Sequence, residues 1–242
     1  MTYELYYWPG IQGRGEFIRL ALEEAGVPYL DIAKDPAGEE QAVSKLQALL
    51  GDTKAAHPSF AVPVLKAGDL FISHTANILM YLGTHHGLAP ANEAGRIWTN
   101  QLQLTMTDWI VEIHDTHHPL GPTEYYQDQK LEARKRTVSF LKQRLPKYLG
   151  YFERVLKQNP SGDQFLVGSA LTYPDLSLFQ IIEGLRYAFP RNQSRIEVKY
   201  PKVIGLHDRV LKRPRIAAYL ASGQRISFNE DGLFRHYPEL DK

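Results

Sequence analysis

The chain has 242 residues, 43% of them hydrophobic and 23% charged, with a formal net charge of +1. That length is generous for one compact core and suits two domains, and so small a charge supplies no electrostatic reason for nucleic acid or a membrane surface as partner. Cysteine is absent, which excludes disulfides, thiolate metal sites, cysteine nucleophiles and CxxC redox chemistry; any sulfur chemistry must use sulfur that arrives with a ligand.

The aromatic run Thr2 to Trp8 reads as a strand, broken by Pro9, Gly10 and Gly13. Phe17, Leu20, Ala21 and Ala25 then fall at helical spacing, with Gly26 placed to close the helix. Pro28 to Ala33 is a candidate second strand, and Glu39 to Leu50 a second helix ended by Gly51. Phe60 to Leu65 and Leu70 to Ile72 read as strands joined by the turn chemistry of Lys66-Ala-Gly-Asp, and Thr75 to Tyr81 opens a helix. This order makes an α/β unit of one parallel half and one hairpin half.

Beyond Asn92 the pattern turns helical. Trp98, Leu102, Thr105, Trp109 and Ile113 mark one helix, and Leu131 to Leu156 another, which Pro146 should kink. Thr172 and Asp175 have capping-box spacing, with Leu171 and Leu176 as a hydrophobic staple and Pro174 in the first turn. Residues 1–86 and 92–242 are therefore expected to form two domains. The opening MTYELYYWPG lacks the features of a signal peptide and no window reaches the length of a membrane span, so the cytoplasm is the expected location.

This succession resembles the cytosolic glutathione transferases: a thioredoxin-like N-terminal domain, α/β, followed by an all-α C-terminal domain. Tyr7-Trp-Pro with Gly13-Arg14 is similar to the tyrosine-type motif of the mu, pi, alpha and sigma classes, and Val62-Pro63-Val64-Leu65 to their cis-proline strand. His74-Thr75-Ala-Asn-Ile-Leu-Met-Tyr-Leu resembles the segment that grips the γ-glutamyl end of glutathione, and Gly168 to Phe179 the family's capping-box segment. The loop from Pro9 to Arg14 is one residue longer than the pi or mu pattern, His74 stands where glutamine is usual, and the tail from Arg225 to Lys242 is long, so no class is assigned. The resemblance implies conjugation of glutathione, a co-substrate with no further cofactor, to a small apolar electrophile in a detoxifying homodimer. A glutathione-dependent isomerase or peroxidase and a non-catalytic ligand-binding relative are the alternatives.

Each residue role then has a chemical reason. A free thiol titrates near 8.5, and lowering that by one unit needs about 1.4 kcal/mol of preference for the thiolate, which one charge-assisted hydrogen bond can supply. A tyrosine, titrating near 10, stays protonated and donates. Strand alternation sends Tyr6 and Tyr7 to opposite faces, and the motif selects Tyr7. By resemblance, Pro63 is cis, freeing the Val62 backbone to pair with the ligand's cysteinyl backbone. His74 and Thr75 are expected at a helix start, where free N–H groups favour a carboxylate, although Ser73 or Thr75 could equally cap that helix. The resemblance also implies Lys54 and Arg14 as candidate cations for the glycine carboxylate, Trp8 as a flank of the pocket, and Asp108 as an acid reaching the ligand's amino group across a dimer interface. Glu112, His114, Asp115, His117 and His118 suggest a metal cluster but lack HExxH spacing, and metal binding is not expected. Asn192-Gln-Ser fits a glycosylation acceptor without a secretory signal to give it use. Trp109, Ile113, Tyr125, Tyr126, Phe234 and Tyr237 are candidates for an apolar electrophile pocket or for core.

Overall fold

A computed structural model of the chain describes residues 2–121 and 123–242. β1 (Tyr3–Tyr6) buries Tyr3 and Leu5 and leaves Glu4 and Tyr6 half-exposed. It ends two residues before Trp8 because its last pair, Tyr6 with Val64, meets the very start of its neighbour. α1 (Gly15–Ala25) is closed by Gly26 at φ 65°, the left-handed cap expected there. β2 (Tyr29–Asp31) is shorter than predicted: Asp31 accepts the Ala33 N–H and turns Ile32–Lys34 into one 3₁₀ turn. α2 (Glu39–Leu50) follows.

β3 (Val64–Ala67) starts after Pro63 rather than at Phe60, and pairs antiparallel with β4 (Leu70–Ser73) across a two-residue turn in which Gly68 takes φ 63°. The sheet order is β2-β1-β3-β4, with β1 and β2 parallel and the rest antiparallel. α3 (Thr75–His85) leaves the hairpin. This small mixed sheet with its helices is a thioredoxin-like layer.

All regular secondary structure beyond is helical among the described residues. α4 (Glu93–His114) begins where the Asn92 side chain accepts the Gly95 N–H at 2.7 Å. α5 (Lys130–Ser139) and α6 (Leu145–Gln158) form one continuous helical run, joined by a π turn at Phe140–Arg144. Pro146, where the sequence predicts a kink, has no N–H to give, and the wider turn lies just before it. α7 (Tyr173–Ala188) is buried almost throughout; α8 (Pro190–Ile196), α9 (Pro201–Leu211) and α10 (Pro214–Ala221) each open on a proline. The tail beyond Ser222 is non-helical.

One core runs through both halves, because α1 packs on α3, α7 and α10, while α3 also packs on α4. At the head of α7, the fully buried Asp175 carboxylate accepts the Leu166 N–H at 2.8 Å, the Thr172 N–H at 2.7 Å and the Thr172 hydroxyl at 2.8 Å. Asp175→Ala leaves these donors unpaired in the core, and should lower unfolding stability by about 2–4 kcal/mol in denaturant titration.

Candidate functional site

Tyr7 follows β1 with its ring turned inward, 5% exposed, while Tyr6 points the other way and donates its hydroxyl to Glu4 at 2.7 Å. The alternation that separated them in the sequence holds. The Tyr7 hydroxyl accepts the Arg14 backbone N–H at 2.8 Å, and Arg14 is the N-cap of α1. With its oxygen engaged there, the phenol keeps its proton to donate elsewhere. Burial pushes the phenol's pKa up, against the Arg14 N–H and the charges of Arg14 and Arg19, so the group is protonated at neutral pH.

The approach of loop to ring depends on two glycines. A Cβ on Gly13, which sits at φ 46°, would fall 2.2 Å from the Tyr7 hydroxyl oxygen, and one on Gly15 would fall 2.7 Å from the ring. Beneath them Arg19, fully buried, places its guanidinium 6.0 Å from the Tyr7 ring centre and pairs with Asp31 at 2.7 Å.

A cavity of about 250 Å³ opens beside this loop, bounded by Arg14, Val62, Pro63, His74, Thr75 and also Thr107 of α4. The Val62–Pro63 bond is cis, as expected from the motif. His74 has φ 73° and ψ 123°, a region that side-chain-bearing residues rarely adopt, and it is the non-glycine residue with positive φ among the described residues. It turns the chain at the start of α3, where Ser73, His74 and Thr75 line the cavity. No side chain caps that helix, so neither Ser73 nor Thr75 fills the capping role. The Thr75 hydroxyl is buried without a hydrogen-bond partner among the described residues. A buried donor beside free helix N–H groups is an arrangement suited to a carboxylate.

The other expected residues lie outside this wall. Trp8 is 40% exposed. Lys54 is exposed in the turn after α2, where its backbone N–H bonds to Asp52. Asp108 is exposed on α4, one residue from Thr107. Trp109, Ile113, Tyr126 and Phe234 are at most 3% exposed and belong to the core, Tyr125 stands in solvent, and Tyr237 stacks on Tyr126. Helical periodicity marks burial and does not tell a core from a pocket wall, so these assignments to an apolar pocket are corrected. The suggested metal cluster is divided among other partners: Glu112 binds Arg144 and Tyr148, Asp115 faces Arg136, and His117 bonds to His118 and the Leu233 carbonyl. Sequence reasoning missed the glycine pair and Thr107; the Gly-Arg-Gly triplet next to Tyr7 was the available signal.

Residues 114–223 match the family model described as glutathione S-transferase, C-terminal domain. The chain is 28% identical to glutathione S-transferase P 1 of Xenopus laevis, over 92% of this chain and 93% of the relative. It is 29% identical to glutathione S-transferase P 10 of Caenorhabditis elegans, over 90% of each. Among solved structures, prostaglandin synthase D of Nilaparvata lugens superposes with a TM-score of 0.71 at 25% identity, covering 92% of this chain and 98% of that one. The pi-class glutathione S-transferase of Onchocerca volvulus shares the fold with a TM-score of 0.68 at 22% identity, over 91% and 92% of the two chains. The likeness runs through both halves in the same order, and the chain is similar to glutathione S-transferases over nine-tenths of its length.

Proposed function

We propose that the protein conjugates the thiol of glutathione to a small, largely apolar electrophile, with Tyr7 stabilising the thiolate. The observation that carries this is the Tyr7 hydroxyl: buried, protonated, anchored by the Arg14 N–H and held at the N-terminus of α1. In this reading the start of α3, with His74 and Thr75, takes the γ-glutamyl carboxylate, and the Val62 backbone ahead of Pro63 pairs with the cysteinyl unit like an added strand. Arg14 supplies a cation for the glycine carboxylate, with Lys54 reaching in from its turn and Trp8 flanking the rim. The helix N-terminus and the phenol both favour the anion, which lowers the thiol's pKa. Nearness of the two substrates supplies the rest. The likeness to a structure titled prostaglandin synthase D favours a glutathione-dependent isomerisation at the same site as the second reading; a substrate panel separates the two.

The protein works in this reading as a cytoplasmic homodimer. Phe60 stands fully exposed at the edge of the cavity, and a groove of about 860 Å³ between β4, α3 and α4 exposes Leu70, Met80, Ile97 and Leu104. So large an apolar surface suits a second copy, and Asp108 would then face the partner's ligand. Sedimentation should give twice the 27.6 kDa chain mass, and Ile97→Lys should shift the population to monomer.

Tyr7→Phe should still be retained on immobilised glutathione but lose about 10²-fold in conjugation of a nitroaryl halide at neutral pH. Its rising pH limb should move up by about a unit or two, since a lost donor leaves the thiol less acidic; full activity in this variant would rule out the assignment. Gly13→Ala should displace the Tyr7 hydroxyl and cost about 10–100-fold in kcat with a smaller change in glutathione affinity, read by steady-state kinetics beside a thermal melt.

A further inference from the structure

The net charge of +1 is unevenly spread along the chain. Between Lys130 and Arg144 there are six lysines and arginines against Glu132 alone. Arg136 and Arg144 are engaged within the fold, by Asp115 at 3.4 Å and Glu112 at 2.6 Å. Lys130, Arg134, Lys135 and Lys142 are exposed, and none of them pairs with a carboxylate among the described residues. At about 100° per residue, these four and the exposed Leu131 and Val138 share about 140° of the circumference of α5, and Lys142 carries the face into the π turn. Glu132 lies outside that arc, and the buried Ala133, Thr137 and Phe140 occupy the opposite side. The face is therefore cationic and apolar at once, with no acid on it.

Beside it a cleft of about 180 Å³ opens between α5, the start of α8 and the tail. Arg134 and Lys142 line this cleft together with Val138, Leu141 and Leu240, so cationic and hydrocarbon groups adjoin there as well. Glu239 is the acid in its wall, and its carboxylate accepts the Tyr126 hydroxyl at 2.9 Å. In physiological salt the Debye length is about 8 Å, so a flat anionic surface meets the local charge of the face turned toward it, not the total. The small net charge that gave no reason for a membrane partner does not describe this face.

We propose that this face of α5 docks the protein reversibly on an anionic lipid surface. The helix lies in the plane of the interface, with its ammonium and guanidinium groups among the headgroups and Leu131 and Val138 at the level beneath them. The long stems of the four basic side chains suit that geometry, since they cover hydrocarbon while their charged ends stay in the headgroup layer. Among the described residues no helix is long and apolar enough to cross a membrane, so the contact is peripheral. A nucleic acid would use the cations but leave Leu131 and Val138 against hydrated phosphates, and the arc carries no aromatic ring on which a base could stack. The docking does not depend on the conjugation reading. Combined with it, docking holds the enzyme where apolar electrophiles concentrate.

The test is co-sedimentation of the full chain with phosphatidylcholine vesicles, alone or with a third of phosphatidylserine. The wild-type protein should pellet with the mixed vesicles, stay in solution with the neutral ones and be released by added salt. Lys135→Gln with Lys142→Gln should weaken binding by about tenfold or more, at about fivefold per cation, and Leu131→Asp by a similar factor. Lys157→Gln with Lys212→Gln removes the same charge elsewhere on the surface, and should stay within about twofold of wild type. All five positions are exposed, and matching thermal melts establish that each variant keeps the fold. No pelleting of the wild type with mixed vesicles overturns the proposal, as does equal pelleting with both kinds. An equal loss in the two lysine pairs, or unchanged binding in Leu131→Asp, overturns it too. Retention by a single-stranded oligonucleotide without retention by vesicles overturns it in favour of nucleic acid.

Discussion

Arg19 keeps a positive charge with no exposed surface, and the arrangement around it fixes the loop from Pro9 to Arg14. Burial works against that charge, but Asp31 and Glu16 more than offset it and raise the guanidinium above its ordinary value. Neutralisation requires geometry. Asp31 comes from the end of β2, Glu16 from the preceding turn of α1, and the Gln12 carbonyl accepts a third bond at 3.3 Å. Glu16 then accepts the Tyr219 hydroxyl at 3.1 Å and faces Arg225 at 3.0 Å. Gln12 is gripped again, through its side chain, by Gln180 of α7 at 2.7 Å. The loop bearing the Arg14 N–H is thereby tied to the sheet, to α7, to α10 and to the tail. Removing one charge from such a cluster leaves another uncompensated, which costs more than the pair itself is worth.

What the sequence made legible follows from how local each cause is. Alternation separated Tyr7 from Tyr6, a glycine marked the end of α1, and Thr172 with Asp175 announced the head of α7; all are decided within a few residues. Tyr7's partner was less visible, because the useful group on Arg14 is its backbone N–H and no side-chain motif encodes that. The buried cluster was invisible for a different reason: Arg19, Glu16 and Arg225 look like ordinary solvated charges until the fold packs α10 and the tail over α1. The residues offered for the electrophile wall failed on periodicity, which reports the buried face of α4 and says nothing of what it is buried against. The histidines, read as a weak metal motif, pack their rings on one another where α4 ends.

The long tail has no secondary structure to hold it, and its order comes from bonds to other elements. Asn229 donates to the Gly10 carbonyl at 2.8 Å, and the Leu233 carbonyl receives His117. Tyr126 donates to Glu239 at 2.9 Å, and Asp241 accepts the Arg191 and Asn192 N–H groups at the start of α8. The tail therefore runs from the loop at Gly10, past the histidine trio, to the start of α8. Each attachment is a side chain meeting a backbone group or a single partner, individually worth about 1 kcal/mol, so the strap holds by number. It also sets the electrostatics of the helix end, since Arg225 and Arg235 are tail residues that approach Glu16 and the histidines respectively.

The cavity wall shows where the fold leaves polar groups unsatisfied. The Thr75 hydroxyl has no partner among the described residues, as is also true of the buried Gln103, Trp109 and Gln193 side-chain donors, but beside the cavity it coincides with a helix start, that of α3, which has no side-chain cap. His74 adds backbone strain of about 1–3 kcal/mol at the same point. A cap from Ser73 or Thr75 would remove part of the unsatisfied donation, and the positive φ at His74 turns the chain away from it. The fold thus concentrates an instability where a carboxylate would relieve it, and tolerates that cost because α3 is held from behind by its packing on α1 and α4. Affinity for an anionic ligand in such a wall comes from donors already in place, with little reorganisation needed on binding. The same economy of motion applies at Tyr7, whose oxygen is anchored to Arg14 in place: in the proposed reading, pre-set donors at two helix N-termini, one for a carboxylate and one for a sulfur anion, would take one elongated ligand.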